Sequence, residues 1–216
     1  MLRGLSAAER GALAALLRRR RYRRDEVVFH QGDPGETLHL VRSGRLKVVN
    51  PGESGEEAVL TIVGPGDLFG ELTLLDGGPR SATVVALEEV ETATLSRADF
   101  LALLRRNPPV VEALLAALAR TIRRLTEEVT DLMFLDLRGR LVKKLLELAT
   151  EHGQGGENGV EIAVELTQEE LAAMIGATRP RVNALLGFFE DHGAITRRGR
   201  RIVILEPELL QPWVSG

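Results

Sequence analysis

Two clusters of residues in this chain of 216 have the types and spacing that chemistry requires. The first is Phe69-Gly70-Glu71-Leu72 followed by Arg80-Ser81-Ala82-Thr83. Gly70 allows close backbone approach, and a short helix opening near Glu71 would turn its first amides toward an anion. Arg80 offers a planar fork and Ser81 a hydroxyl, the donors that a phosphate takes. A carboxylate beside a phosphate repels it unless the carboxylate accepts hydrogen bonds from another part of the same ligand. A ribose hydroxyl is such a part, and Glu71 fits that role. The alternative of equal weight is an ion pair between Glu71 and Arg80 that closes a turn without any ligand.

The second cluster opens at Thr167-Gln168-Glu169-Glu170, a capping box that starts a helix through Leu171, Ala172 and Ile175. Gly176 can take the left-handed conformation needed for a sharp turn. Thr178 is placed to cap the next helix, Pro180 is tolerated in its first turn, and Val182, Leu185 and Leu186 supply its apolar side. Two helices joined by a tight glycine turn make a helix-turn-helix, with Leu171, Ile175, Ala177, Val182 and Leu185 facing inward. If the second helix enters a major groove, Thr178, Arg179, Arg181 and Asn183 reach base edges, where Arg favours guanine and Asn favours adenine. Residues 195–204 read as a β-hairpin wing with Arg197, Arg198, Arg200 and Arg201 available to phosphates. Thr167, Gln168 and Arg200 complete the expected DNA-contacting set. The competing reading is a pair of packed helices with a basic surface hairpin.

Other elements must hold these clusters in place. Residues 6–21 suggest a short helix with Leu13, Leu16 and Leu17 on one side, ending in the basic run Arg18 to Arg24, either a nucleic-acid arm or a solvated face. From Val27 to Leu95, short apolar runs alternate with turn signals such as Gly32-Asp33-Pro34-Gly35 and Gly64-Pro65-Gly66, the pattern of an all-β sandwich or barrel. Its core would include Val41, Leu46, Val48, Val49, Val59, Leu60, Ile62 and Val63. Ser96-Arg97-Ala98-Asp99 is a second capping box, opening a helix through Leu104 that Asn107-Pro108-Pro109 ends. A long helix then carries Val111, Leu115, Leu118, Ile122, Leu125, Val129 and Leu132 at alternating gaps of four and three, an a/d seam. Such a seam suits a parallel dimer, or a helix packed on its own β-domain. After Asp136 an amphipathic helix places Leu141, Leu145 and Leu148 inside and Lys143, Lys144 and Glu147 outside. Residues 153–159 read as a flexible glycine-rich loop before a short strand carrying Val160, Ile162 and Val164.

Composition narrows the function further. With 44% apolar and 27% charged residues the chain can bury a core unaided. It contains no cysteine, which excludes thiol nucleophiles, disulfides and cysteine-ligated clusters. A net charge of −3 and 4% aromatic residues argue against a general nucleic-acid coat or a base-stacking platform. The start of the chain has no signal-peptide pattern and no stretch reaches membrane-spanning length, so a cytoplasmic protein without membrane partners is expected. No P-loop, His-Glu-x-x-His or Gly-x-Ser-x-Gly motif is present, which points away from an enzyme.

Taken together, the glycine-rich β region, Gly70-Glu71-Leu72 with Arg80-Ser81-Ala82, the helix ending Phe134-Leu135-Asp136, and the segment from Thr167 to Leu186 resemble the CRP/FNR family of transcription regulators, cyclic AMP receptor branch. The resemblance implies an α+β chain: a jelly-roll-like β-roll that binds cyclic nucleotide (1–108), a dimerisation helix (109–136), and a winged helix-turn-helix (137–216). It implies a homodimer whose partners are a double-stranded operator and RNA polymerase. Cyclic AMP would lie with its phosphate on Arg80 and Ser81 and its ribose on Glu71, with Gly70, Leu72, Ala82 and Thr83 around it. Val48, Leu60 and Thr61 would line the pocket. The family's adenine-contacting pair falls on Leu125 and Thr126, where one hydroxyl is kept and the other is replaced. Arg179-Pro180 stands where the family has Arg-Glu, and Ala184 where it has a further arginine, so the operator should differ from the usual one. An iron-sulfur branch is excluded by the missing cysteines, and His30, His39, His152 and His192 read as ordinary histidines rather than haem ligands. The alternative within the class is a ligand-independent regulator controlled by its abundance.

Overall fold

The computed structural model describes residues 16–52, 56–156 and 159–213. The chain divides into two compact units, Met1–Arg124 and Leu125–Gly216. The division falls inside the long helix.

The first unit is built from β1 (Arg18–Tyr22), β2 (Val27–Phe29), β3 (Thr37–Ser43), β4 (Leu46–Pro51), β5 (Glu57–Val63), β6 (Leu68–Phe69), β7 (Thr83–Ala86) and β8 (Val90–Ser96). They form two four-stranded sheets, ordered β1-β8-β3-β6 and β2-β7-β4-β5, and every pairing is antiparallel. Alternation along the strands sends Val41, Phe69 and Val90 from one sheet and Leu46, Val63 and Val84 from the other into one cluster, so the sheets pack face to face. Full burial of a side chain such as Leu46 contributes about 1.5–3 kcal/mol. Val48 and Leu60, expected in that core, are only half-buried, Val48 packing against its margin.

The helix expected over 6–21 falls largely outside the described residues, Leu13 included. Leu16 is helical, but the helix does not continue to residue 21: Arg18–Tyr22 is a strand paired with Val90–Thr94. Arg19 and Arg21 lean on Glu91 at 3.8 and 3.3 Å, and Tyr22 packs against the core cluster. The basic run is therefore an edge strand.

Helix α1 (Glu71–Asp76) lies between β6 and β7, and α2 (Arg97–Arg106) follows β8. Ser96 caps α2 as expected, accepting from the Asp99 amide at 3.2 Å, and the helix continues two residues beyond Leu104. Asn107 ends it because a residue before proline disfavours helical geometry, and its side-chain amide donates to the Leu103 carbonyl at 2.9 Å. Helix α3 (Pro108–Phe134) starts on that proline. Val110 and Leu114 bury against Leu38, Leu74, Leu95 and Phe100, while most of the a/d seam stays outside.

The second unit contains α4 (Leu137–His152), β9 (Gly153–Gly156), β10 (Gly159–Ile162), α5 (Gln168–Ile175), α6 (Arg179–Asp191), β11 (Ile195–Arg198), β12 (Arg201–Ile204), α7 (Pro207–Leu210) and a final 3-10 turn (Gln211–Trp213). Asp136 caps α4 by accepting from the Gly139 amide at 2.8 Å. Lys143 and Lys144, expected outside, turn back to Asp131 (2.6 Å) and Glu128 (3.5 Å) on α3. Leu141, Leu145 and Leu148 are buried as expected.

Gly153–Gly156 is a strand and not part of a free loop: β9 pairs with β10, and the sheet order is β11-β12-β10-β9. Gly159 sits at φ 114° with its Cα against the Ile204 carbonyl, a place no larger residue could take. Gly153, like Gly159, is tightly packed, its Cβ position lying against the Ala149 carbonyl, whereas Gly155 has open space around it. Val164 lies beyond the end of β10 but is buried.

Candidate functional site

Gly70 adopts φ 79° and opens α1, bringing its carbonyl within 2.8 Å of the Arg80 Nη1 that donates to it. Arg80 Nη2 donates to the Thr37 carbonyl at 2.8 Å and to the Thr37 hydroxyl at 3.4 Å. Its guanidinium lies 4.1 Å over the Phe29 ring, and the residue is only 4% exposed. Three elements thus seat one cation whose Nε–H, though buried, has no acceptor among the described residues. Of the five guanidinium hydrogens, that one and one on Nη1 are left for a ligand oxygen.

No ion pair joins Glu71 to Arg80. The turn-closing alternative is therefore not the arrangement present. Burial raises the Glu71 carboxyl above its usual range, opposed by its own backbone amide and by Arg80. Burial also lowers the Arg80 pKa, opposed by Glu71 and Asp33, and a guanidinium remains cationic at neutral pH. Leu72 and Ser81 are exposed, whereas Ala82 and Thr83 are buried. Thr83 already accepts from the Gln31 amide at 2.9 Å.

The lining strands converge on β4, where Val48 pairs with Thr61 on one side and Val84 on the other, and Val49 pairs with Thr83. The register shift between Val48 and Val49 leaves Leu60 as the extra residue of a β-bulge. Its carbonyl accepts from Arg124 Nη1 at 3.1 Å. Sequence reading missed that anchor, since nothing local marks a bulge. It also missed His39, which is 5% exposed, stacked 4.7 Å from Phe69, and within 3.3 Å of the Thr37 hydroxyl. Burial, then Arg80 and Arg20, lowers its pKa to about 4, so a neutral imidazole stands behind Arg80. Leu125 and Thr126 are exposed on α3 in the second unit.

In that second unit the capping box is complete: Thr167 Oγ1 accepts from the Glu170 amide at 3.1 Å and Glu170 accepts from the Thr167 amide at 2.8 Å. Gly176 ends α5 at φ 63°. Thr178 stands at the cap position of α6, but its hydroxyl makes no capping bond, a correction to the expected role. Val182 and Leu186 are buried with Phe189, while Leu185 is only half-buried, since the 3.6-residue period favours the 182-186-189 face. Thr178, Arg179, Arg181 and Asn183 are all exposed. Asn183 Oδ1, however, already accepts from Gln168 Nε2 and Arg197 Nη1, each at 2.9 Å.

The wing arginines separate into two kinds. Arg197 is held by Glu190 through its backbone amide, Nε and Nη2, and these contacts keep the Glu190 carboxyl below its usual range against the effect of burial. Arg201 pairs with Glu161 at 2.9 Å and Glu165 at 3.5 Å. Arg198 and Arg200 flank the Gly199 turn, are exposed, and have no ion-pair partner among the described residues. The expectation that all four would be available to phosphates thus narrows to two.

Among the described residues there is no cluster able to hold a metal ion and no helix long and apolar enough to cross a membrane. Residues 19–107 match the cyclic nucleotide-binding domain and residues 139–213 the Crp-like helix-turn-helix domain. The chain is 36% identical over 205 residues to a CRP-like cAMP-activated global transcriptional regulator of Mycobacterium tuberculosis, covering 94% of this chain and 92% of that one. It is 35% identical over 216 residues to the cyclic AMP receptor protein of Thermus thermophilus, covering 100% and 97%. A solved structure of the c-di-GMP responsive global regulator of Xanthomonas campestris matches with a TM-score of 0.81 at 26% identity, covering 92% of this chain and 99% of that one.

Proposed function

The chain belongs to the CRP family of DNA-binding transcription regulators, a family of non-enzymatic proteins, and from that premise we propose that it is a homodimer whose operator binding is switched on by cyclic AMP. The observation that carries the ligand assignment is Arg80: a buried guanidinium fixed by the Gly70 and Thr37 carbonyls, with an unpartnered Nε–H left over. A phosphate oxygen supplies the missing acceptor. Glu71 has no cationic partner among the described residues and suits a ribose hydroxyl, and Ser81 suits a second phosphate oxygen. Gly70 and the Leu72 amide lie at the same helix end, with Ala82 and Thr83 behind. Val48, Leu60 and Thr61 face the base, and the resemblance adds Leu125 and Thr126. The relatives named as responding to cyclic AMP favour that nucleotide over the c-di-GMP named for the Xanthomonas structure.

Dimerisation is supported by the α3 seam, where Leu115 is 59% and Ile122 64% exposed in the single chain. Thr178, Arg179 and Arg181 read the major groove, with Thr167 at the first helix's N-terminus and Arg200 on the wing meeting phosphates. Ligand that binds the DNA-competent arrangement of the dimer more tightly shifts the population toward it. RNA polymerase is the further partner of an activator built this way, and the cytoplasm its place.

Calorimetric titration with cyclic AMP, cyclic GMP and c-di-GMP tests the ligand. The expected result is tight binding of cyclic AMP alone, lost in Arg80→Ala. No binding by the wild type would promote the ligand-independent regulator controlled by abundance, and binding of c-di-GMP instead would replace the ligand.

A further inference from the structure

The amide of Asn183 projects from the exposed side of α6, four residues after Arg179 and therefore on the same face. Its orientation follows from its neighbours. The atom that meets Arg197 Nη1 at 2.9 Å must be oxygen, because a guanidinium only donates. Gln168, also at 2.9 Å from that oxygen, must then present its NH2. Arg197 cannot swing away easily, since Glu190 grips the same guanidinium through Nε and Nη2. Both lone pairs of Oδ1 are thus occupied by the first helix and the wing. Only the two Nδ2 hydrogens remain, with no partner among the described residues.

An asparagine pairs with adenine by accepting from N6 while donating to N7, and that mode needs a free Oδ1. Guanine and thymine present keto acceptors in the major groove, O6 with N7 and O4, and ask only for donors. Resting on the DNA-reading function proposed above, we propose that Asn183 is a donor-only specificity residue that selects a keto base at one operator position, with Gln168 and Arg197 as the positioning residues that suppress its adenine mode.

The test is selection by the full-length protein, with cyclic AMP present, from a pool of random-sequence duplex DNA, followed by sequencing of the bound fraction. Wild type should enrich guanine or thymine at one position whose preference disappears in Asn183→Ala. Asn183→Asp keeps both acceptor contacts, hence the grip on Gln168 and Arg197, but has no amide hydrogens. It should melt like wild type and move that position to an amino base, cytosine or adenine. Gln168→Ala frees one lone pair and should raise adenine there by about tenfold. Wild-type enrichment of adenine at that position, or identical preferences in wild type and Asn183→Asp, overturns the inference while leaving the DNA-reading function standing. Wild type that enriches no sequence at all overturns both.

Discussion

Replacing Arg80 by lysine separates the charge of that side chain from its shape. Lysine keeps the cation but has no planar fork to span the Gly70 and Thr37 carbonyls, so cyclic AMP affinity should fall by at least about tenfold in calorimetry. Wild-type affinity in Arg80→Lys would mean that charge alone recognises the nucleotide. His39 gives a second residue-scale prediction. Its folded pKa of about 4 lies below its ordinary 6.5, so the unfolded chain takes up a proton that the folded one refuses. Stability is therefore lost as pH falls from 6.5 to about 4, by about 3 kcal/mol from this group. Denaturant melts of wild type and His39→Phe at pH 7 and pH 4 check this: the variant should lose that much of the pH dependence. The meeting of Gly70 and Arg80, which the structure brings together, was legible in their types and spacing. The saturation of Asn183 was not, because its partners come from Gln168 on another helix and Arg197 on the wing.

The elements best read from sequence were those fixed by contacts within a turn. Ser96 with Asp99, and Thr167 with Glu170, cap their helices as their spacing requires. Thr167→Ala should destabilise the second unit by about 1 kcal/mol in thermal unfolding. An unchanged melt would show that the capping box contributes nothing there. Elements settled by distant partners were misread. The Arg18–Arg21 run has no periodicity to reveal, and its strand pairing depends on Val90–Thr94, about seventy residues away. The glycine-rich stretch from Gly153 looks flexible by composition, yet Gly153–Gly156 pairs with β10, and Gly159 lets β10 lie close against the Ile204 carbonyl of β12. Thr178 looked like a cap by type and position, but its hydroxyl makes no such bond and the residue is exposed.

For the whole molecule, the heptad seam on α3 has a consequence that one chain cannot satisfy. Leu115, Ile122, Val129 and Leu132 repeat along one stripe and are each more than half exposed. Burial against a second copy would stabilise each by up to about 1.5–3 kcal/mol. Ile122→Glu should therefore turn a sedimenting dimer into a monomer, and a monomeric wild type would remove the basis of two-site operator binding. The family was legible in the order of the parts, a nucleotide cassette, a seam and a helix-turn-helix, since each leaves a local mark. The proposed coupling between them leaves none, and it is measured most directly by fluorescence anisotropy of a labelled duplex selected by the protein, titrated with protein with and without cyclic AMP. DNA affinity that rises at least about tenfold with cyclic AMP in the wild type, and does not rise in Arg80→Ala, is the predicted result. Equal affinity with and without the nucleotide would contradict it.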